Sequence, residues 1–156
     1  RIKPDADGRA LVVVAGDRAA IERAIELAKA RGAKRAILLP VSAPFHCALM
    51  APAAKIMAEA LAAVEVKAPV VPLVANVVAG PISDPDDIRR RLVEQVTSMV
   101  RWRETIGWLA GAGVDQFVEV GAGKVLSGLA KRIADGVETL TIGVPDDIDA
   151  AMTRFA

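Results

Sequence analysis

Short runs of β-branched and aliphatic residues alternate along this chain with segments whose apolar residues recur at helical spacing, and the connections between them are short. Leu11-Val-Val-Val-Ala15, Lys34 to Leu39, Val70 to Val78, Gln116 to Val120 and Thr139 to Val144 read as strands. A helix is predicted from the N-cap Asp17 through Ile21, Ala24, Ile25 and Ala28, closed by Gly32. Ala51 to Val64 is Ala-rich and helical, with Pro52 tolerable in the first turn. Ser83-Asp84-Pro85-Asp86-Asp87 offers a capping side chain, a first-turn proline and acids at the positive end of a helix dipole, followed by the stripe Ile88, Leu92, Val96. Further helices are predicted over Trp102 to Ala112, over Leu126, Leu129 and Ile133 up to Gly136, and from Asp146 onward. Alternation of this kind predicts an α/β fold with largely parallel strand pairing. The strand–helix–strand unit at 10–40 reads as a small subdomain beside a larger layer from 41 onward. Pro69 and Pro72 suit the edge or start of the strand they accompany.

The chain has 156 residues, 53% of them hydrophobic and 3% aromatic, so its core must be built from Ala, Val, Leu and Ile. Twenty basic and 19 acidic residues leave a formal charge of +1, which argues against nucleic acid as a partner. The single cysteine excludes an internal disulfide framework and fits a reducing compartment. The longest apolar stretch, Ala68 to Ile82, is broken by Pro69, Pro72, Asn76 and Pro81 and falls short of the roughly 20 residues a membrane-spanning helix needs. No cationic, apolar leader is read at the start. These features predict a cytoplasmic protein without membrane contact.

Pro40-Val-Ser-Ala-Pro-Phe-His-Cys-Ala-Leu-Met50 holds the only histidine, His46, and the only cysteine, Cys47. Histidine alone among the side chains has an unperturbed pKa near physiological pH, so imidazole acid–base chemistry can arise only here. His46 follows a predicted strand, and in open α/β sheets sites gather at the carboxyl ends of strands. A base needs a nucleophile. Cys47 is poorly placed for this, since adjacent side chains in extended backbone point apart. The serines are Ser42, Ser83, Ser98 and Ser127. None lies in a Gly-x-Ser-x-Gly elbow, because Val125 stands where Ser127 would need a glycine. Gly121-Ala-Gly-Lys124 lacks phosphate-loop spacing and reads as a tight strand–helix turn. Asp5 with Asp7, and Asp84 with Asp86 and Asp87, do not meet the EF-hand pattern, so no metal is expected. Lys34-Arg35 and Lys131-Arg132 are either ordinary surface charge or a patch for an acidic partner.

Pro40 to Met50 resembles the active-site histidine segment of bacterial malonyl-CoA:acyl carrier protein transacylases. The likeness continues, in the family's order, through Ala33-Lys-Arg-Ala36, Ala68-Pro-Val-Val-Pro72, Ala75-Asn76-Val77, Leu92-Val-Glu-Gln-Val96, Val100-Arg-Trp102 and Glu119-Val-Gly-Ala-Gly-Lys-Val-Leu126. The resemblance implies the C-terminal part of an acyltransferase α/β-hydrolase-like core, residues 41–156, with a partial ferredoxin-like small subdomain, residues 1–40. It implies malonyl transfer from malonyl-CoA, as substrate and not cofactor, to the phosphopantetheine thiol of acyl carrier protein through an acyl-serine, for fatty acid biosynthesis. Carried over by position, His46 would be the base and Gln95 would supply the backbone carbonyl that holds the imidazole. Phe45 and Asn76 would border the substrate. Lys34, Arg35, Lys131 and Arg132 would meet the acidic carrier protein, and the full-length enzyme would be a monomer.

The family's Gly-His-Ser-x-Gly elbow, its oxyanion segment and the arginine that pairs with the malonyl carboxylate are not found in these residues. The resemblance therefore implies a histidine half whose nucleophile half is missing, inactive alone. Unpaired strand edges and apolar faces would make such a piece poorly soluble. The competing readings are a non-catalytic acyltransferase-like module that binds acyl carrier protein, and a thiol hydrolase built on Cys47.

Overall fold

The computed structural model describes residues 12–155. Leu11, which opens the first predicted strand, and the pair Asp5 and Asp7 lie outside the described residues. The chain divides into two compact units, one covering the described residues up to Arg101 and the other starting at Trp102.

In the first unit, helix α1 spans Arg18–Ala30. Asp17 occupies its N-cap position without a side-chain bond to the helix. At the other end Gly32 takes a left-handed φ of +88°, which lets the Gly32 and Ala33 N–H groups bond Lys29 and Ala28 carbonyls at 3.0 and 2.9 Å. A single 3-10 turn, Ala48–Met50, runs into α2, Ala51–Ala62, with Pro52 in the first turn as the sequence predicts. Helix α3 spans Pro85–Thr97, and its capping is as the sequence reads: Asp84 Oδ1 accepts the Asp87 N–H at 2.8 Å. Arg89 on α3 donates from Nε to the Leu61 carbonyl at 3.0 Å and from Nη2 to the Val64 carbonyl at 3.1 Å. One is a carbonyl of the last turn of α2, also met by the Val64 N–H at 3.3 Å, and the other lies just beyond the helix. The guanidinium thus ties the end of α2 to the start of α3.

The predicted strands of this unit are where sequence and structure part. Residues 12–15 and 35–40 form no strand, and Val13 and Ile37 stand 68% and 54% exposed. An apolar β-branched run becomes a strand only where a neighbour takes its N–H and C=O groups, and among the described residues none does. Val70 to Val78 is not one strand. Only Leu73–Ala75 forms β1, directly after Pro72, and it pairs antiparallel with β2, Gly80–Ile82, in the register Leu73↔Ile82. Residues 76–79 turn the chain, with the Val78 and Ala79 N–H groups both on the Ala75 carbonyl and Ala79 at φ +52°.

The second unit matches its predicted pattern. After α4, Trp102–Gly111, strands β3, Gln116–Val120, and β4, Glu138–Ile142, pair in parallel from Gln116↔Glu138 to Val120↔Ile142. The crossover is helix α5, Val125–Ile133, and α6, Asp147–Phe155, follows. The core gathers Ile106, 2% exposed, with Ala130 and Ala134, packed against Trp102, Leu109, Phe117, Ile133 and Val137. So the fold is α/β and, among the described residues, has one parallel pair and one antiparallel hairpin in place of the expected largely parallel sheet. No helix among the described residues is long and apolar enough to cross a membrane. Ile106→Ala would remove the largest fully buried side chain among the described residues and leave a cavity beside Ala130 and Ala134 that the surrounding side chains fill only in part. The expected loss is about 2–5 kcal/mol in chemical denaturation.

Candidate functional site

The loop from Pro40 to Cys47 carries its histidine on a backbone that β-carbon-bearing residues rarely adopt. His46 has φ +60°, in the left-handed region. Cys47 returns at once to extended backbone, φ −141° and ψ 171°. The change of hand between neighbours sends their side chains apart. The Cys47 thiol donates to the Pro44 carbonyl at 3.1 Å, within its own loop. The imidazole leaves the loop instead, and its Nδ1 lies 3.0 Å from the Gln95 carbonyl oxygen on α3. The loop is held on both sides of His46, by Phe45 N–H on the Ala43 carbonyl and Met50 N–H on the Cys47 carbonyl, each at 3.0 Å.

A carbonyl oxygen can only accept, so Nδ1 carries the proton. The neutral ring then presents the lone pair of Nε2, on the far side of the imidazole. His46 is exposed, so Nε2 can be approached from solvent. The same division of labour holds in a Ser-His-Asp triad, where an acceptor on Nδ1 fixes the tautomer that leaves Nε2 basic. Among the described residues no serine hydroxyl donates to that nitrogen. The site therefore holds a directed base without a nucleophile.

Gln95 lies in the last turn of α3, where carbonyls lack helical partners. Its oxygen receives the Ser98 N–H only at 3.4 Å, which leaves capacity for the imidazole. Phe45, beside His46, is 47% exposed. Asn76 sits in the β1–β2 loop, where its backbone carbonyl accepts the Arg101 N–H at 3.2 Å and its side-chain Oδ1 is buried without a protein partner. Lys34 and Arg35 are exposed beyond the end of α1. Lys131 and Arg132 are exposed in the last turn of α5, in the other unit, where cations suit the helix dipole. Of the predicted residues, the structure joins His46 to Gln95 by a hydrogen bond and places Phe45 next to His46 in the same loop, while Asn76 and the two basic pairs lie on other segments.

A group that sequence reasoning missed closes off one alternative. Glu119 accepts the Leu126 N–H on Oε1 at 3.1 Å and the Ser127 N–H on Oε2 at 2.8 Å. The N-terminus of α5, after Gly121-Ala-Gly-Lys124, thus already holds an anion of its own chain, which agrees with reading that loop as a turn. The Ser127 side chain, then the Ser127 and Leu126 N–H groups, hold the Glu119 carboxyl below the usual glutamate range. The signal was present: Glu119 shares the half-buried face of β3 with Phe117, and a carboxylate there requires donors. Asp147 is its counterpart on α6. Its Oδ2 accepts the Gly143 and Val144 N–H groups at 2.8 and 3.1 Å, and these, with the charge of Lys124, lower its pKa. Among the described residues no group of His, Cys, Asp and Glu is placed to hold a metal ion.

Comparison with known proteins finds relatives along most of the chain. A malonyl CoA-acyl carrier protein transacylase of Salmonella typhimurium is 46% identical over 143 residues, 92% of this chain and 46% of its own length. The Bacillus subtilis protein of the same name is 44% identical over 90% of this chain and 44% of its own length. Among solved structures, the acyl-carrier-protein S-malonyltransferase of Bartonella henselae superposes with a TM-score of 0.83 at 54% identity, over 89% of this chain and 44% of that one. A malonyl-transacylase solved in complex with its type II PKS acyl-carrier protein gives 0.82 at 40% identity, over 89% of this chain and 45% of that one. No protein-family model matches the chain. The chain spans under half the length of the curated relatives it matches.

Glu119 and Asp147 have folded-state pKa values lowered below their unfolded ones. The unfolded chain therefore binds more protons, and stability rises with pH across the interval between the two values. The stabilisation is complete above the ordinary carboxylate range and drains away as pH falls through and below it. Glu119→Gln and Asp147→Asn are expected to flatten the acid limb of a stability-versus-pH curve. An acid limb as steep as that of the parent would contradict this.

Proposed function

We infer, from a homology that takes in 92% of this chain and 46% of a malonyl CoA-acyl carrier protein transacylase, that the chain supplies the histidine-bearing C-terminal part of such an enzyme. The observation that carries the reading is the 3.0 Å contact between His46 Nδ1 and the Gln95 carbonyl, made from a histidine backbone at φ +60°. The reaction proposed is malonyl transfer from malonyl-CoA to the phosphopantetheine thiol of acyl carrier protein, in fatty acid biosynthesis, with no cofactor and in the cytoplasm. A serine supplied by residues beyond these gives its hydroxyl proton to His46 Nε2 as its oxygen attacks the malonyl thioester. The carbon–sulfur bond breaks, and the coenzyme A sulfur leaves with that proton. The carrier-protein thiol then gives its proton to Nε2 and attacks the acyl-serine, and the serine oxygen recovers the proton as it departs.

In this reading Gln95 orients the base, Phe45 and Asn76 border the substrate, and Lys34, Arg35, Lys131 and Arg132 meet the carrier protein. Residues 1–40 belong to a ferredoxin-like subdomain and residues 41–156 to an α/β-hydrolase-like core. These residues alone do not transfer malonyl groups, for want of a nucleophile. A module that only docks carrier protein has no use for an imidazole with a fixed tautomer on a strained backbone, which favours the enzyme.

The test is a chimera in which this chain replaces the matching 143 residues of the Salmonella typhimurium relative. Malonyl transfer is expected from the chimera. His46→Ala should reduce its rate by roughly 10²–10⁴, the usual contribution of a general base. A folded chimera that binds carrier protein but transfers nothing would instead support the docking module. An active one indifferent to His46→Ala would remove the histidine from the mechanism.

A further inference from the structure

We propose that the side chain of Gln95 is a positioning residue for His46, acting through its own backbone carbonyl; this rests on the reading of His46 as the base. Had α3 continued, the Met99 N–H would fall on the Gln95 carbonyl as the next bond of the helix, and the oxygen would be occupied along the helix axis. The chain instead leaves the helix at Ser98, whose backbone is extended at φ −112° and ψ 154°. The Gln95 amide holds that departure in place. Its Nε2 donates to the Ser98 carbonyl at 3.0 Å and to the Met99 carbonyl at 3.3 Å.

The segment that leaves α3 is fastened at its far end as well. The Arg101 N–H bonds the Asn76 carbonyl at 3.2 Å, and Arg101 Nη1 bonds the Val78 carbonyl at 3.1 Å. Residues 98–101 are thereby stretched between the Gln95 amide and the β1–β2 loop. Met99 and Val100, within this stretch, are exposed, so apolar burial does little to keep it from winding on as helix. One residue therefore works at two points: its amide turns the following backbone aside, and its carbonyl, freed by that turn, receives the imidazole. A glutamine meets both needs because it is long enough to reach forward past the helix end and carries two N–H donors.

His46 is the only histidine, so the ¹⁵N spectrum of histidine-labelled chain reads one ring without assignment. Solid-state spectra of the full 156-residue chain serve whether or not it stays monodisperse. For the neutral ring, the Nδ1–H tautomer is expected to dominate in the parent. Gln95→Met, of similar length but without donors, should raise the Nε2–H form several-fold in a chain that stays folded. Adding Met99→Pro, which deletes the competing N–H and suits the extended residue before it, should restore the Nδ1–H form. Should Gln95→Met fail to fold, Gln95→Glu provides the donorless side chain for the same pair of spectra. A folded donorless variant that keeps the parent tautomer overturns the proposal, and so does failure of Met99→Pro to restore it. A parent spectrum dominated by Nε2–H would overturn the His46–Gln95 reading itself, a different result from either.

Discussion

Every α-helix ends with carbonyl groups that its own N–H donors cannot reach, and something else must take them. In the first unit two such ends are put to use. Carbonyls at and just beyond the end of α2 are taken by Arg89, which joins α2 to α3. The Gln95 carbonyl at the end of α3 is taken by His46. The 3-10 turn after His46 leads directly into α2, so the loop that carries the imidazole and the helix that carries its acceptor are connected through both contacts. The position of the base thus follows from where two helices stop.

The second unit uses the opposite terminus for a different end. Glu119 fills the positive end of α5 with a carboxylate from the adjoining strand. A helix N-terminus at the carboxyl end of a parallel strand is a common place for a bound anion. Here the chain supplies the anion itself, and the glycine-rich turn before α5 serves strand-to-helix geometry. Gly121 and Gly123 take φ of +134° and +97°, backbone that side chains resist, which accounts for glycine at those positions without any ligand.

What could be read from sequence follows the range of the interactions involved. Helices were legible because their caps and stripes are local: Asp84 and Pro85 open α3 in the structure as in the pattern, and the strand–helix–strand order of the second unit was equally plain. Strands in the first unit were not, since pairing is decided by a neighbour distant in sequence. Val12 to Val14 and Ile37 to Leu39 have strand composition and no partner among the described residues. Strand β2 escaped notice because Gly80 and Pro81 argue against a strand. The site divides the same way. His46 stood out as the only imidazole, whereas its contact with Gln95 spans 49 positions and was suggested by family resemblance alone. Nothing in the spacing marks a backbone carbonyl as an acceptor for a side chain.

The left-handed backbone at His46 carries the last step. Such a conformation costs a non-glycine residue of order 1–3 kcal/mol and persists only where its surroundings hold it. Here two loop hydrogen bonds flank the residue and a third is made by its own ring. The third is the informative one. The loop bonds would hold any residue in this turn, and glycine would fit it with less strain. Only a side chain that reaches Gln95 draws compensation from being there. The strain, the contact and the choice of histidine are then one arrangement, in which a destabilised turn is retained because it aims Nε2 outward with its proton already placed on the opposite nitrogen.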